Sequence, residues 1–322
     1  MGPVLVTGGT GFVGRHVVRE LAHAGYQLRL LVRNLPASAA EDDHQYITGD
    51  LLDPVSLGNA MLGADAVVHA AGFVSTNPRD RKQIFDVNVT GTRNLLDAAR
   101  TAGVKRVVFT SSTSAVGALA TNNLNATLAE DAVYDLDRLN VPYVSAKRLA
   151  HQMALEARSD DFEIVVLSPT LILGPGEGPA ASSHALVKAF LKGKIPAVPP
   201  GGVNVVDVRD LARSYVAALQ HPAPSPHYIV GGPENMTLGA LFQRLEGLSG
   251  INAPSLRIPG WCAVVAGHVS QIFAPKGALS VAAAKMGRLY WYFNSTAAQR
   301  DLGHDPRPLD ETLATTIAWI RR

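Results

Sequence analysis

Val4-Leu5-Val6-Thr7-Gly8-Gly9-Thr10-Gly11-Phe12-Val13-Gly14 joins a short apolar run to a segment of helical periodicity through glycines spaced G-x-x-G-x-x-G. Strand, glycine turn and helix in that order form a mononucleotide-binding unit. Gly8 permits the tight turn, Gly11 lets backbone approach a pyrophosphate, and Gly14 lets the helix pack on the strand. The amino terminus of a helix beginning near Phe12 attracts the phosphates. A glycine-rich turn without a ligand is the competing reading; the flanking strand and helix weigh against it.

Further short, β-branched runs follow at 28–32, 46–48, 66–69, 107–110 and 164–167, separated by longer helix-like segments. Runs this short and apolar suit parallel strands buried on both faces, linked by right-handed helical crossovers. The expected fold is α/β, a Rossmann-like doubly wound parallel sheet. Residues 83–100 read as one amphipathic helix with Ile84, Val87, Leu95 and Ala98 near one face, and 141–158 as another after Pro142. From Gly174-Pro175-Gly176-Glu177-Gly178-Pro179 onward, proline and glycine break the alternation. Residues 1–173 are therefore expected to form the dinucleotide-binding domain, with some later segments returning to it. Residues 174–322 mainly form a smaller substrate-binding and cap region.

The chain has 322 residues, 47% of them apolar and 17% charged, which excludes disorder. No apolar run approaches the roughly 18 residues of a spanning helix, and Met1-Gly2-Pro3 carries no basic leader. The single cysteine, Cys262, excludes a disulfide framework, and no Cys/His cluster suggests zinc. His268 and His304 lack partners at metal-ligand spacing, so no metal is expected. A cytoplasmic setting is the expectation. A net charge of +2 gives no reason to invoke nucleic acid.

Leu30-Leu31-Val32-Arg33-Asn34 places Arg33 where an NAD-preferring chain usually carries an acidic residue for the ribose 2′-hydroxyl. A guanidinium there can grip a 2′-phosphate, which favours NADP(H) and leaves NAD(H) as the second choice. The competing reading is a solvated surface arginine. Tyr143-Val144-Ser145-Ala146-Lys147 sets a phenol and an ammonium four residues apart, on one helix face. Upstream, Val107-Val108-Phe109-Thr110-Ser111-Ser112 ends a strand in hydroxyls. Carbonyl reduction needs an acid beside the developing alkoxide, and a lysine charge brings tyrosine toward proton exchange near neutrality. A packed tyrosine and a solvated lysine would look alike in isolation; the glycine turn and serine strand argue for chemistry.

With these motifs assembled, the chain resembles an extended short-chain dehydrogenase/reductase of the NAD-dependent epimerase/dehydratase superfamily. It is most similar to the dihydroflavonol-reductase-like, 3β-hydroxysteroid-dehydrogenase-like and hopanoid-associated sugar-epimerase-like branches. The resemblance implies Ser112, Tyr143 and Lys147 as catalytic residues, with Ser111 the nearest competitor for the serine role. It implies cofactor contacts at Thr7, Gly8, Thr10, Gly11, Phe12, Val13, Gly14, Arg33, Asp50, Leu51, Ala70, Ala71, Gly72, Asn88, Thr110, Tyr143, Lys147, Pro169 and Thr170. Val206-Asp207-Val208-Arg209-Asp210 resembles the motif that opens the carboxyl-terminal domain, into which Tyr228-Ile229-Val230-Gly231-Gly232-Pro233 also fits. A homodimer through helices equivalent to 83–100 and 141–158 is implied as well.

Three functions share this machinery: a reductase, a nucleotide-sugar epimerase or dehydratase, and a non-catalytic NADP-binding scaffold. Relatives acting on nucleotide sugars place an arginine before the Val-Asp motif, whereas Gly201-Gly202-Val203-Asn204 stands here and no arginine or lysine occurs from Ile195 to Val208. Arg209, Arg257 and Arg288 remain as substitutes. Between Glu246 and Asp301 there is no acidic residue, while Trp261, Phe273, Tyr290, Trp291, Tyr292 and Phe293 lie there with Arg257, Lys276, Lys285, Arg288 and Arg300. Residues 261–273 and 289–293 are expected to form an apolar lid, selecting a hydrophobic carbonyl or alcohol or touching a membrane surface. Helical core and dimer contact are the competing readings of this stretch.

Overall fold

A computed structural model describes residues 2–36, 39, 43–176, 182–273 and 280–322. Glu177-Gly178-Pro179 and Lys276, and the side chains of His268, Gln271 and Phe273, lie outside the described residues. The first half comprises β1 (Val4–Thr7), α1 (Phe12–His23), β2 (Leu28–Val32), β3 (Gln45–Thr48), α2 (Pro54–Met61), β4 (Ala66–His69), α3 (Arg81–Phe85), α4 (Gly91–Thr101), β5 (Arg106–Thr110), α5 (Pro142–Glu156) and β6 (Glu163–Pro169). The second half adds β7 (Leu171–Leu173), α6 (Ser182–Leu191), β8 (Gly202–Asp207), α7 (Val208–Gln220), β9 (His227–Val230), β10 (Asn235–Thr237) and α8 (Leu238–Ser249). It ends with α9 (Gly260–Phe273), α10 (Val281–Gly287), α11 (Thr296–Leu302) and α12 (Leu309–Ile320).

Seven strands pair in the order β3-β2-β1-β4-β5-β6-β9, all parallel. Side chains alternate across this sheet. Val4, Val6, Val108 and Val165 pack with Val17 and Leu21 of α1 and Leu211 and Tyr215 of α7. Leu5, Val107, Phe109 and Ile164 pack on the other face with Leu57 of α2, Leu95 of α4 and Ala150 of α5. Both faces are therefore dry, which is why the strands are short unbroken apolar runs. Strand order reverses between β1 and β4, the crevice where an open α/β sheet receives a ligand at its carboxyl edge.

Two expectations need correction. The segment 83–100 is not one regular helix: α3 begins at Arg81, and a π-helical turn, Asp86–Thr90, separates it from α4. The extra residue in that turn changes which side chains face inward, and Asn88 is buried within it. The segment around Tyr228 forms β9, the seventh strand of the main sheet beside β6, rather than part of the terminal domain. Likewise, the Val-Asp motif ends β8 and starts α7, whose Tyr215 and Ala218 return to the main core. A second sheet, β10-β8-β7, carries its own core of Val187 and Phe190 from α6, Leu241 and Phe242 from α8, and Leu313 from α12.

Candidate active site

Gly8 has φ +72° and stands so close to the loop after β4 that a Cβ on it would lie 2.5 Å from the Ala71 nitrogen. Only glycine satisfies both conditions. A Cβ on Gly14 would collide with the Gly8 carbonyl, whereas one on Gly11 would meet only that carbonyl, at 3.2 Å, and otherwise project into open space. Gly11 caps α1 with no side-chain bond, leaving the first-turn amides near Phe12, Val13 and Gly14 uncapped by a side chain. The exposed Thr10 keeps its carbonyl for the Arg15 guanidinium, 2.9 Å away. These are the attributes of a phosphate cradle.

Around the cradle the other expected contact residues are held by internal bonds. The Ala70 nitrogen donates to the Thr7 carbonyl at 3.1 Å, tying the β4 loop to the glycine turn. Asn88 is wholly engaged in that loop: its amide donates to the Phe73 carbonyl at 2.8 Å and its oxygen accepts from the Phe73 nitrogen at 3.0 Å. The same oxygen lies 3.2 Å from where a Cβ on Gly72 would stand. Asp50 accepts from the Leu52 nitrogen at 2.8 Å, and the Leu51 carbonyl accepts from Asn94 at 3.0 Å, so this turn is fixed before any ligand arrives. Arg33 is exposed just beyond the end of β2.

His69 ends β4 beneath the cradle, where its ring shares a 2.6 Å hydrogen bond between Nδ1 and the Thr7 hydroxyl. The Thr92 hydroxyl, which donates to the Asn88 carbonyl at 2.7 Å, lies 3.4 Å from Nε2. That order leaves Nε2 carrying the proton. Burial, assisted by the Lys147 charge, pushes the His69 pKa down to about 3, so the ring is neutral.

The hydroxyls that end β5 divide sharply. Ser111 is buried and its Oγ lies 2.9 Å from Nδ1 of His151, one turn beyond Lys147 on α5. His151 in turn meets the His227 ring edge-on at 4.6 Å, and His227 bonds the Ser168 hydroxyl at 2.8 Å. Ser112 instead accepts from the Ser114 nitrogen at 3.2 Å and the Ser114 hydroxyl at 3.0 Å. Burial raises the Tyr143 pKa, and the nearby Ser112 side chain opposes that rise. Ser111 is thus taken up by His151, and Ser112 is the serine that acts on the Tyr143 phenol. Lys147 is buried, donates to the Thr110 carbonyl at 2.7 Å and lies 5.5 Å from the centre of the Phe109 ring. Burial lowers its pKa to about 8.

Thr110 turns its hydroxyl away, to the Tyr215 phenol at 2.6 Å. The Pro169 carbonyl accepts from Thr113 at 3.2 Å, and the Thr170 hydroxyl donates to Asn204 at 3.0 Å. Asn204 was not singled out as a site residue, yet it also bonds the Gly232 nitrogen at 2.6 Å and the Asn235 side chain at 3.1 Å. It joins the β6 end to the second sheet. No sequence signal sets it apart from a surface asparagine, whereas His151 could have been read from its spacing after Tyr143 and Lys147.

The terminal region meets the tyrosine at a shared apolar cluster. Half-buried Tyr143 packs against a buried cluster that includes Ala118, Leu139, Val144 and Ala282, and Met286, Leu289 and Trp291 pack against the same cluster. Residues 289–293 form an extended strap between the Leu119 loop and the start of β8: Tyr290 exchanges backbone bonds with Leu119, while the Gly202 nitrogen donates to Leu289 and Trp291 donates to the Gly202 carbonyl. A Cβ on Gly201 would strike the Gly287 carbonyl, and one on Gly202 the Tyr292 ring. Trp261 of α9 lies outside this inner layer, 66% exposed. Arg209, offered as a substitute phosphate ligand, holds Asp207 through two nitrogens, at 2.9 and 2.7 Å. His304 is a core residue, donating to the Gly231 carbonyl at 2.7 Å. Among the described residues no group of three or more His, Cys, Asp or Glu could hold a metal ion.

A glycine cradle at the switch point of a parallel sheet, facing a serine, a tyrosine and a lysine, defines a dinucleotide-dependent enzyme of the Rossmann class. The chain belongs to the NAD dependent epimerase/dehydratase family, whose sequence profile matches residues 4–231. It is 32% identical over 330 residues to "Putative dihydroflavonol 4-reductase" of Synechocystis sp., covering 98% of this chain and 94% of that one. It is 31% identical over 333 residues to sterol demethylase protein B of Methylococcus capsulatus, covering 98% of each. Among solved structures, gox2253 superposes with a TM-score of 0.84 at 29% identity, covering 100% of this chain and 98% of that one. MoeE5 with UDP-glucose and NAD does so at 0.77 and 25% identity, covering 100% and 99%.

Proposed function

We propose that the protein is an NADP(H)-dependent oxidoreductase that interconverts a carbonyl and an alcohol on an apolar substrate. The dinucleotide fits the residues present: Gly11 leaves the open side of the turn free of a Cβ, and the first amides of α1 are left without a side-chain cap. Exposed Arg33 supports the 2′-phosphate form. When bound, the cofactor supplies or accepts the hydride. In the reducing direction Tyr143 gives its phenolic proton to the carbonyl oxygen as the carbon is reduced, and Ser112 fixes that oxygen by hydrogen bonding. Buried Lys147 holds a positive charge beside the site, easing loss of the tyrosine proton; the reverse direction returns it.

The observation that carries the reading is that Ala282, Met286, Leu289 and Trp291 share one apolar cluster with Tyr143. The strap also occupies the ground in front of Gly201 and Gly202, where a nucleotide-sugar enzyme would place its arginine. Reductase action is therefore favoured over epimerisation. The names of the two relatives, a dihydroflavonol 4-reductase and a sterol demethylase protein, also point to apolar ring systems.

The test is consumption of NADPH absorbance with a panel of apolar ketones and aldehydes. Tyr143→Phe should lower turnover by about a hundredfold or more while cofactor binding, followed by fluorescence, stays within about twofold of wild type. Conversion of a nucleotide sugar with a retained cofactor would replace this reading by an epimerase. Binding without any turnover would leave a scaffold.

A further inference from the structure

We propose that α9 docks the protein on an anionic lipid surface. The inference rests on the reading of an apolar substrate, which such a surface would supply.

Helical spacing divides α9 into two faces. Ala263 and Gly267, one turn apart, are buried. A Cβ on Gly267 would stand 3.1 to 3.3 Å from backbone atoms of Val281 and Ser280, so this face is pressed against the start of α10. Trp261 and Val265, also one turn apart, are 66% and 52% exposed. Leu256, on the approach to the helix, is 59% exposed. Trp261 and Val265 thus give α9 an apolar outward face, with exposed Leu256 just before it, of the kind that marks an interaction site.

The flanking charge identifies the partner. Arg257 and Arg288 are exposed, and the Arg288 Cβ lies 3.2 Å from where a Cβ on Gly260 would stand, beside Trp261. No acidic residue occurs between Glu246 and Asp301 to repel an anionic headgroup. Indole and guanidinium side by side suit the boundary between headgroup and acyl chain. A second copy would fit less well, because a two-fold contact on this face would set arginines against arginines. No helix of the described residues is long and apolar enough to cross a membrane, so α9 would lie in the interface.

The position gives the docking a use. α9 packs on α10, and α10 contributes Ala282 and Met286 to the Tyr143 cluster. A single helical layer therefore separates the lipid from the apolar region at the reacting centre.

Flotation with phosphatidylcholine vesicles, with and without phosphatidylglycerol, tests the proposal on the intact chain. The wild type is expected to float with the phosphatidylglycerol vesicles and to be released as salt rises. Trp261→Ser should weaken the partition about tenfold, and Arg257→Gln with Arg288→Gln by a similar factor. Neither variant should change the melting temperature or the reduction of a water-soluble ketone. The proposal is overturned if the wild type ignores these vesicles, or if Trp261→Ser floats as well as wild type. It is also overturned if Trp261→Ser merely splits an oligomer seen by light scattering, which would make α9 a contact between copies. Ketone reduction without vesicle binding would remove the docking and leave the proposed function standing; vesicle binding without any carbonyl turnover would do the reverse.

Discussion

The role proposed for Lys147 makes the pH behaviour of the site a test of it. Its ammonium is buried against the Phe109 ring and the Thr110 carbonyl, and burial brings its pKa down to about 8. Below that pH it is charged and can favour proton exchange at Tyr143; above it the charge is lost. Carbonyl reduction should hold on the acid side and decline as pH passes through about 8. Residual activity of Lys147→Met should lack that limb. The sign for stability is opposite: the charge opposes folding below about 8, and that penalty fades as pH rises toward the unfolded value of 10.5. The serines offer a second measurement. Ser112→Ala removes the partner of Tyr143 and should lower kcat by about tenfold to a hundredfold with a small change in KM. Ser111→Ala leaves His151 short of a buried partner and should appear mainly as a loss of about 1–2 kcal/mol in stability. That Tyr143 and Lys147 share one helix and that hydroxyls follow β5 was legible in the sequence, from the four-residue spacing and from the end of an apolar run. Spacing alone does not separate Ser112 from Ser111; the resemblance favours Ser112, and the structure adds that Ser111 is engaged by His151 while Ser112 turns to Ser114.

Among the elements, β1, β4, β5 and β6 were readable because their centres are buried on both faces and so written as short apolar runs, whereas β3, at the sheet edge, keeps exposed ends around a partly buried Tyr46-Ile47 pair. β9 is as apolar as these, His227-Tyr228-Ile229-Val230, yet its partner β6 lies some sixty residues earlier. Local pattern carries no information on so distant a pairing. The π-helical turn was hidden for a related reason: one inserted residue barely alters an amphipathic pattern over 83–100. The end of β2 supports a direct test of cofactor choice. Arg33 follows Val32 and is exposed, so Arg33→Asp alters charge without disturbing the core. It should reverse the preference, lowering kcat/KM with NADPH by about tenfold or more relative to NADH. An unchanged ratio would assign the 2′-phosphate to another group.

At the scale of the whole molecule, the two cores are joined by a charge cluster that composition alone could not reveal. Asp210 in the first turn of α7 is buried and accepts from the Arg307 nitrogen at 2.8 Å and its guanidinium at 2.7 Å. Arg213 reaches the same carboxylate at 2.7 Å. Asp207 is also buried; burial alone would raise its pKa, but hydrogen bonds and charge from Arg209, with Arg307 adding to them, hold it below the usual 3.8. Arg307 lies between α11, packed on the main sheet, and α12, packed in the second core, so its contacts bind the two units together. Arg307→Ala strips a buried carboxylate of its main partner and should cost about 2–3 kcal/mol, Arg213 supplying partial compensation. Because the folded pKa of Asp207 is depressed, its contribution is complete above the unfolded value near 3.8 and is lost as pH falls through the lower folded value. Thermal unfolding followed from pH 7 to 3 should therefore show a steeper acid loss in wild type than in Arg307→Ala. Parallel curves would mean that the cluster is spectator charge and that the cores are held together by apolar packing alone.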